Sequence, residues 1–187
     1  MTPAELLSVL NVAEKLKCTL RHCHTSTGRQ ESVAEHSWRI ALMAMLLTGE
    51  FPDADMNKVI RMCLIHDLGE AFTGDIPTFD KTAADSEKED ALFRNWIATL
   101  PDGTRQEFSA LLCEMDALET QEAKIYKALD KMEAVIQHNE SDISTWLPLE
   151  YDLQLTYGTE NVRFSPYMQA LKETVNDVTR RKIAENA

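Results

Sequence analysis

Apolar residues recur at three- and four-residue spacing through most of the chain, and the polar residues between them supply helix-start signals. Thr2 and Glu5 bracket Pro3 as a capping box, with Leu6, Leu10 and Ala13 on the turns behind them. Ser32 and Glu35 repeat the box and open a helix through His36, Ile40, Met43 and Leu47. The pattern predicts a third helix from Asp53 or Asp55 to about Gly69, and others over 85–100, 104–117, 120–139 and 165–184. Turns are predicted near Pro52, Pro77, Pro101 and Pro148, and strand-like alternation is sparse. The expected fold is therefore all-α, a single compact helical bundle. No repeat, low-complexity tract or linker divides it, so residues 1–187 read as one domain.

One stretch breaks the pattern. In MCLIHDLGEAFTGDIP, residues 62–77, an apolar run leads straight into His66 and Asp67, followed by Glu70 and Asp75. At about 100° per residue with Met56 at zero, Val59, Ile60, Met62 and Cys63 span a sector of roughly 160°. His66, Asp67 and Glu70 project at about 280°, 20° and 320°, inside that sector. An unpaired charge there costs several kcal/mol, and a divalent cation would satisfy an imidazole and two carboxylates together. The plainer reading is a helix end emerging into solvent. His36 heads the apolar stripe of its own helix, where it is either a hydrogen-bonded core residue or a second imidazole for the same site.

Composition narrows the choices. Nineteen Lys and Arg against 31 Asp and Glu give a net charge of −12, which argues against binding a nucleic-acid polymer. A phosphate ligand would need local attraction from a metal or one or two arginines. No apolar stretch approaches the roughly 18 residues needed to cross a bilayer. The start of the chain lacks the basic segment of a signal peptide, and the four cysteines form no CxxC pair. A cytoplasmic protein with reduced thiols is expected.

The ordered segments ESVAEHS, IHDLGE, GDIP and KALDKMEA resemble those of the HD-domain metal-dependent phosphohydrolases. The likeness is greatest to the branch holding the YfbR-type 5′-deoxynucleotidases and the HD-domain-containing protein 2 group. It runs from about Leu16 to His138, giving a motif-bearing core of about 16–140 and a helical extension of about 141–187. The resemblance implies a metal site of His36, His66, Asp67 and Asp130. Periodicity alone would leave Asp130 on the polar flank of its helix as a solvated aspartate. The mixed N/O donor set suits Mn²⁺, Fe²⁺, Co²⁺ or Ni²⁺.

The resemblance also implies Glu70 and Asp67 as catalytic groups, Glu70 orienting or deprotonating a water beside the metal and Asp67 tuning the nucleophile. By the same likeness Arg21 would hold the substrate phosphate and Asp75 a sugar hydroxyl, although GDIP also reads as a plain turn. In YfbR-type enzymes a tryptophan follows the arginine, whereas His22 and Cys23 stand here, which leaves the choice between ribose and deoxyribose open. The expected activity is hydrolysis of nucleoside 5′-monophosphates, and the resemblance implies a homodimer. A nucleotide sensor without turnover and a dinuclear-iron oxygenase are the alternatives, the latter short of histidines with only five in the chain. The charge stripe of Glu122, Lys124, Lys127 and Lys131 reads as solvated. The segment after Ser144 offers no chemistry, and its Trp146, Tyr151 and Tyr157 read as core cover or subunit contact.

Overall fold

The computed structural model describes residues 1–186. Both predicted capping boxes form. At the first, Thr2 Oγ1 accepts from the Glu5 amide at 3.2 Å while the Glu5 carboxylate accepts from the Thr2 amide at 2.6 Å. That box opens α1, Pro3–Lys15, and the Ser32–Glu35 box opens α2, Val33–Leu46. Leu6 and Leu10 remain 47% and 51% exposed, and α1 packs inward through Val9 and Ala13 instead.

Between these helices lies a hairpin that the sequence pattern does not predict. Strands β1, Leu20–His24, and β2, Gln30–Ser32, pair antiparallel with Leu20 opposite Ser32 and His24 opposite Gln30. Polar residues fill both strands, so the usual alternation is missing. The turn closes through the Thr25 amide on the Arg29 carbonyl at 2.8 Å, with Gly28 at a φ of 87°.

Helix α3 spans Met56–Ile65 behind the Asp55 cap, four residues short of the predicted end at Gly69. Past Ile65 the chain tightens into i→i−3 turns, with Leu68 N bonded to Ile65 O and Glu70 N to Asp67 O. A short α4, Glu70–Thr73, follows. Then come α5, Ala83–Ala98, α6, Asp102–Ala117, α7, Gln121–Glu140, α8, Glu150–Thr156, and α9, Pro166–Glu185. Helix α8 falls in the stretch for which the pattern predicts no element.

Helix α7 is the axis of the fold, packed against α2, α3, α6 and α9. Ile40, Met62, Ile125, Leu129, Met132 and Met168 are fully buried around it. Each such side chain contributes about 1.5–3 kcal/mol relative to exposure. Because α7 is covered on several sides, polar residues on its supposed flank are interior as well. Asp130 is 8% exposed and Glu133 is fully buried. No described helix is long and apolar enough to cross a membrane.

Candidate metal centre

Two helices and the turn after α3 deliver four side chains to one point. His36 comes from α2, Asp130 from α7, and His66 and Asp67 from the turn just past the end of α3. His36 Nε2 lies 3.4 Å from Asp130 Oδ1 and 3.8 Å from Asp67 Oδ2. His66 Nε2 lies 3.0 Å from Asp67 Oδ2 and 3.8 Å from Asp130 Oδ1. The continuous helix assumed for the angular projection is wrong after Ile65, yet its consequence holds, since the tightened turns still carry His66, Asp67 and Glu70 inward.

The outer ring nitrogens are fixed. His66 Nδ1 faces the Cys63 carbonyl at 2.9 Å, and an oxygen of that kind only accepts, so Nδ1 carries the hydrogen. His36 Nδ1 is held in the same way by the fully buried carboxylate of Glu133. Each Nε2 is then the free nitrogen of its ring, and both are buried without a hydrogen-bond partner. Two orphaned imidazole nitrogens facing two carboxylate oxygens form a donor set short of positive charge, which a divalent cation fits.

The electrostatics follow from this crowding. Burial is the largest influence on His36 and pushes it down, as does Arg21, but the facing carboxylates of Asp130 and Glu133 raise the imidazole to about 9. Burial alone would raise Asp67, yet the adjacent His66 and His36 hold it well below the usual carboxylate range. Asp130 likewise overcomes burial through Lys127 and Lys131 and lies well below its ordinary value. Lys127 Nζ and Lys131 Nζ stand 2.9 and 3.5 Å from Asp130 Oδ2, which corrects the reading of these lysines as part of a solvated stripe. Gly158 makes room for that arrangement: a Cβ there would lie 2.8 Å from Lys131 Cβ.

Glu70 is 5% exposed, and its Oε2 has no partner. Burial, then the charges of Asp67 and Asp75, push its carboxyl up to about 10 against the pull of Arg21. Asp75 is raised for the same first reason, burial, with Arg21 opposing. Arg21 is no surface charge. Its Nε lies 3.2 Å from buried Glu31 and its Nη1 3.7 Å from Asp67, beside the four-residue cluster. All the residues singled out from the sequence therefore gather in one region. Sequence reasoning missed Glu31 and Glu133. Glu133 had a usable signal, one turn after Asp130 on the same helix.

A second group assembles where no chemistry was assigned. Glu150, at the start of α8 and 1% exposed, meets His138 Nε2 at 2.9 Å and His22 Nε2 at 3.3 Å. Trp146 covers this pair, its Nε1 donating to the His138 carbonyl at 3.1 Å. Arg21, Asp75, His22, His138, Glu150 and Phe79 all line one cleft.

A family model described as an HD domain matches residues 13–172. The 5′-deoxynucleotidase HDDC2 of Xenopus laevis is 34% identical over 189 aligned residues, covering 97% of this chain and 91% of that protein. The human 5′-deoxynucleotidase HDDC2 is 30% identical over 139 residues, 72% of this chain and 67% of its own length. A crystal structure from Magnetospirillum magnetotacticum, described as a predicted metal-dependent phosphohydrolase, aligns with a TM-score of 0.79 at 32% identity. It covers 96% of this chain and 93% of its own.

Proposed function

Because the chain belongs to the HD-domain family, we propose that it is a metal-dependent phosphomonoesterase acting on nucleoside 5′-monophosphates, as its similarity to 5′-deoxynucleotidases suggests. The observation that carries this reading is the convergence of His36, His66, Asp67 and Asp130 with both Nε2 atoms bare. A divalent cation held there, with Mn²⁺, Fe²⁺, Co²⁺ and Ni²⁺ all compatible with the donors, would supply positive charge to a phosphoryl oxygen and lower the pKa of a nearby water.

This chain's own groups divide the remaining work. Arg21 offers a planar guanidinium to the phosphate and gives charge where the chain is otherwise acidic. Glu70 receives the proton of the attacking water; its carboxyl is raised by burial, and a cation held near Asp67 would lower it toward the range of a general base. Asp67 helps place that water. Asp75, at the cleft wall, hydrogen-bonds a sugar hydroxyl.

The four free cysteines support a cytoplasmic setting. The likeness to the 5′-deoxynucleotidases is what supports a homodimer, to which exposed Leu7, Trp38 and Leu46 offer apolar contacts. Residues 141–186 complete the same domain, since Val162, Met168 and Val175 join its hydrophobic core. Phosphate release from deoxy- and ribonucleoside monophosphates, measured with each metal on one metal-analysed preparation, tests the assignment. Tight nucleotide binding with no release under any metal would overturn it in favour of a sensor.

A further inference from the structure

Two unlike groups of residues line the cleft beside the metal centre. One is Arg21, 3.7 Å from Asp67, with Asp75. The other, which we take as the outer end, is Phe79 with the trio of His22, His138 and Glu150. We propose that this outer end seats the nucleobase of the substrate, with Phe79 as its apolar wall and His22 as the residue that reads its edge. The inference rests on the phosphomonoesterase reading, which puts the phosphate at the inner end and so leaves the ester's alcohol portion to run outward along the cleft.

Three observations support it. Pro77, Phe79, Ala134 and Leu153 give the cleft an apolar wall beside its converging polar groups, a mix common to small-molecule sites. The Phe79 and His22 rings meet edge to face at 5.5 Å, making an aromatic corner of the kind on which a base can stack. The third is the state of His22. A carboxylate only accepts, so the contact of His22 Nε2 with Glu150 places a hydrogen on Nε2, and in the neutral ring Nδ1 is then an acceptor. Nucleobase edges carry N–H donors that such an acceptor can bind. Glu150 has little freedom to turn away, because it also meets His138 Nε2 at 2.9 Å and accepts from the Leu147 amide at 2.7 Å. It acts as a positioning residue for His22.

The test compares nucleotides with a base-free analogue. Metal-loaded wild type, Phe79→Ala and His22→Ala are assayed on dAMP, dCMP and 2-deoxyribose 5-phosphate, with the metal content of each variant measured. Both substituted residues are partly exposed, so the variants are expected to fold. Wild type should turn over the nucleotides with a kcat/KM at least about tenfold above that of the sugar phosphate, the size expected of one stacked base. The Phe79 and His22 variants should lose most of that advantage through KM. Equal kcat/KM for nucleotides and sugar phosphate in wild type, or an advantage untouched by both substitutions, would overturn the proposal. If no compound releases phosphate, the phosphomonoesterase reading fails, and calorimetric binding of the same three compounds still decides. Tighter nucleotide binding that depends on Phe79 and His22 supports the base seat, and equal binding refutes it.

Discussion

His66 and Asp67 are neighbours in sequence whose side chains converge, with His66 Nε2 3.0 Å from Asp67 Oδ2. The Cys63 carbonyl holds a hydrogen on the other ring nitrogen, so in the neutral ring this short approach sets one acceptor against another. A proton or a metal cation at Nε2 satisfies both atoms.

That relationship predicts strong stabilisation by metal. A cation that binds only the folded chain stabilises it by about 2.7 kcal/mol at one hundred times its dissociation constant. For a protein of this size that corresponds to a rise in Tm of about 5–10 °C. Thermal unfolding with chelator and with added Mn²⁺ or Co²⁺ should show the rise in wild type and its loss after His66→Ala with Asp67→Ala. An equal rise in that double variant would place the cation elsewhere.

Glu133 should matter to the metal without touching it. Its carboxylate orients His36 through Nδ1 and makes that ring a better donor, a support whose removal typically weakens metal binding about 10- to 100-fold. Glu133→Gln keeps the volume and an acceptor but removes the charge. Metal titration of the variant should give an affinity lower by that factor, and unchanged affinity would reduce Glu133 to a packing role.

Part of this centre was legible in the sequence for a physical reason. His66, Asp67 and Glu70 interrupt a regular apolar face, and the Asp55 cap marks the start of the helix that leads to them. Asp130 was hidden because angular periodicity assumes one wet side, whereas α7 is enclosed on several sides and its polar face is interior. The β1–β2 hairpin was hidden because its strands are short and mostly polar, held by main-chain bonds that leave no alternating signature. Glu150 and its histidine partners were hidden because residues 22, 138 and 150 meet only through tertiary packing.

Glu70 and the metal ligands should separate in kinetics. Glu70→Gln removes the proton acceptor but none of the four converging donors, so metal content should remain near wild type while kcat falls about 10²- to 10⁴-fold. Metal analysis and phosphate release on one preparation check both halves. Full turnover in the metal-loaded variant would remove Glu70 from the chemistry.

Arg21 should govern phosphate affinity. A charge-assisted hydrogen bond of this kind is worth about 1.5–3 kcal/mol, so Arg21→Ala should lower kcat/KM about 10- to 100-fold, mainly through KM. Arg21→Lys keeps the charge but loses the planar fork and should recover only part of the loss. The alanine variant also leaves buried Glu31 without its partner at 3.2 Å, so its Tm should fall too. A kcat/KM unchanged in both variants would take Arg21 off the substrate.

The raised Glu70 carboxyl gives the metal-free protein a pH signature. Its ordinary value is 4.5, and in the folded chain burial and the charges of Asp67 and Asp75 push it up to about 10. Between those values the folded state keeps a proton that the unfolded state has released, so this group lowers stability as pH rises. Its effect is absent below about pH 4.5 and complete above about pH 10, with a slope of at most about 1.4 kcal/mol per pH unit. Glu70→Gln is neutral at every pH and should flatten the fall of unfolding free energy between pH 5.5 and 8, measured by urea denaturation in chelator. Added metal should flatten it in wild type as well, because a cation beside Asp67 favours the ionised carboxylate. Parallel pH profiles for wild type and Glu70→Gln without metal would mean that Glu70 is not held protonated in the folded chain.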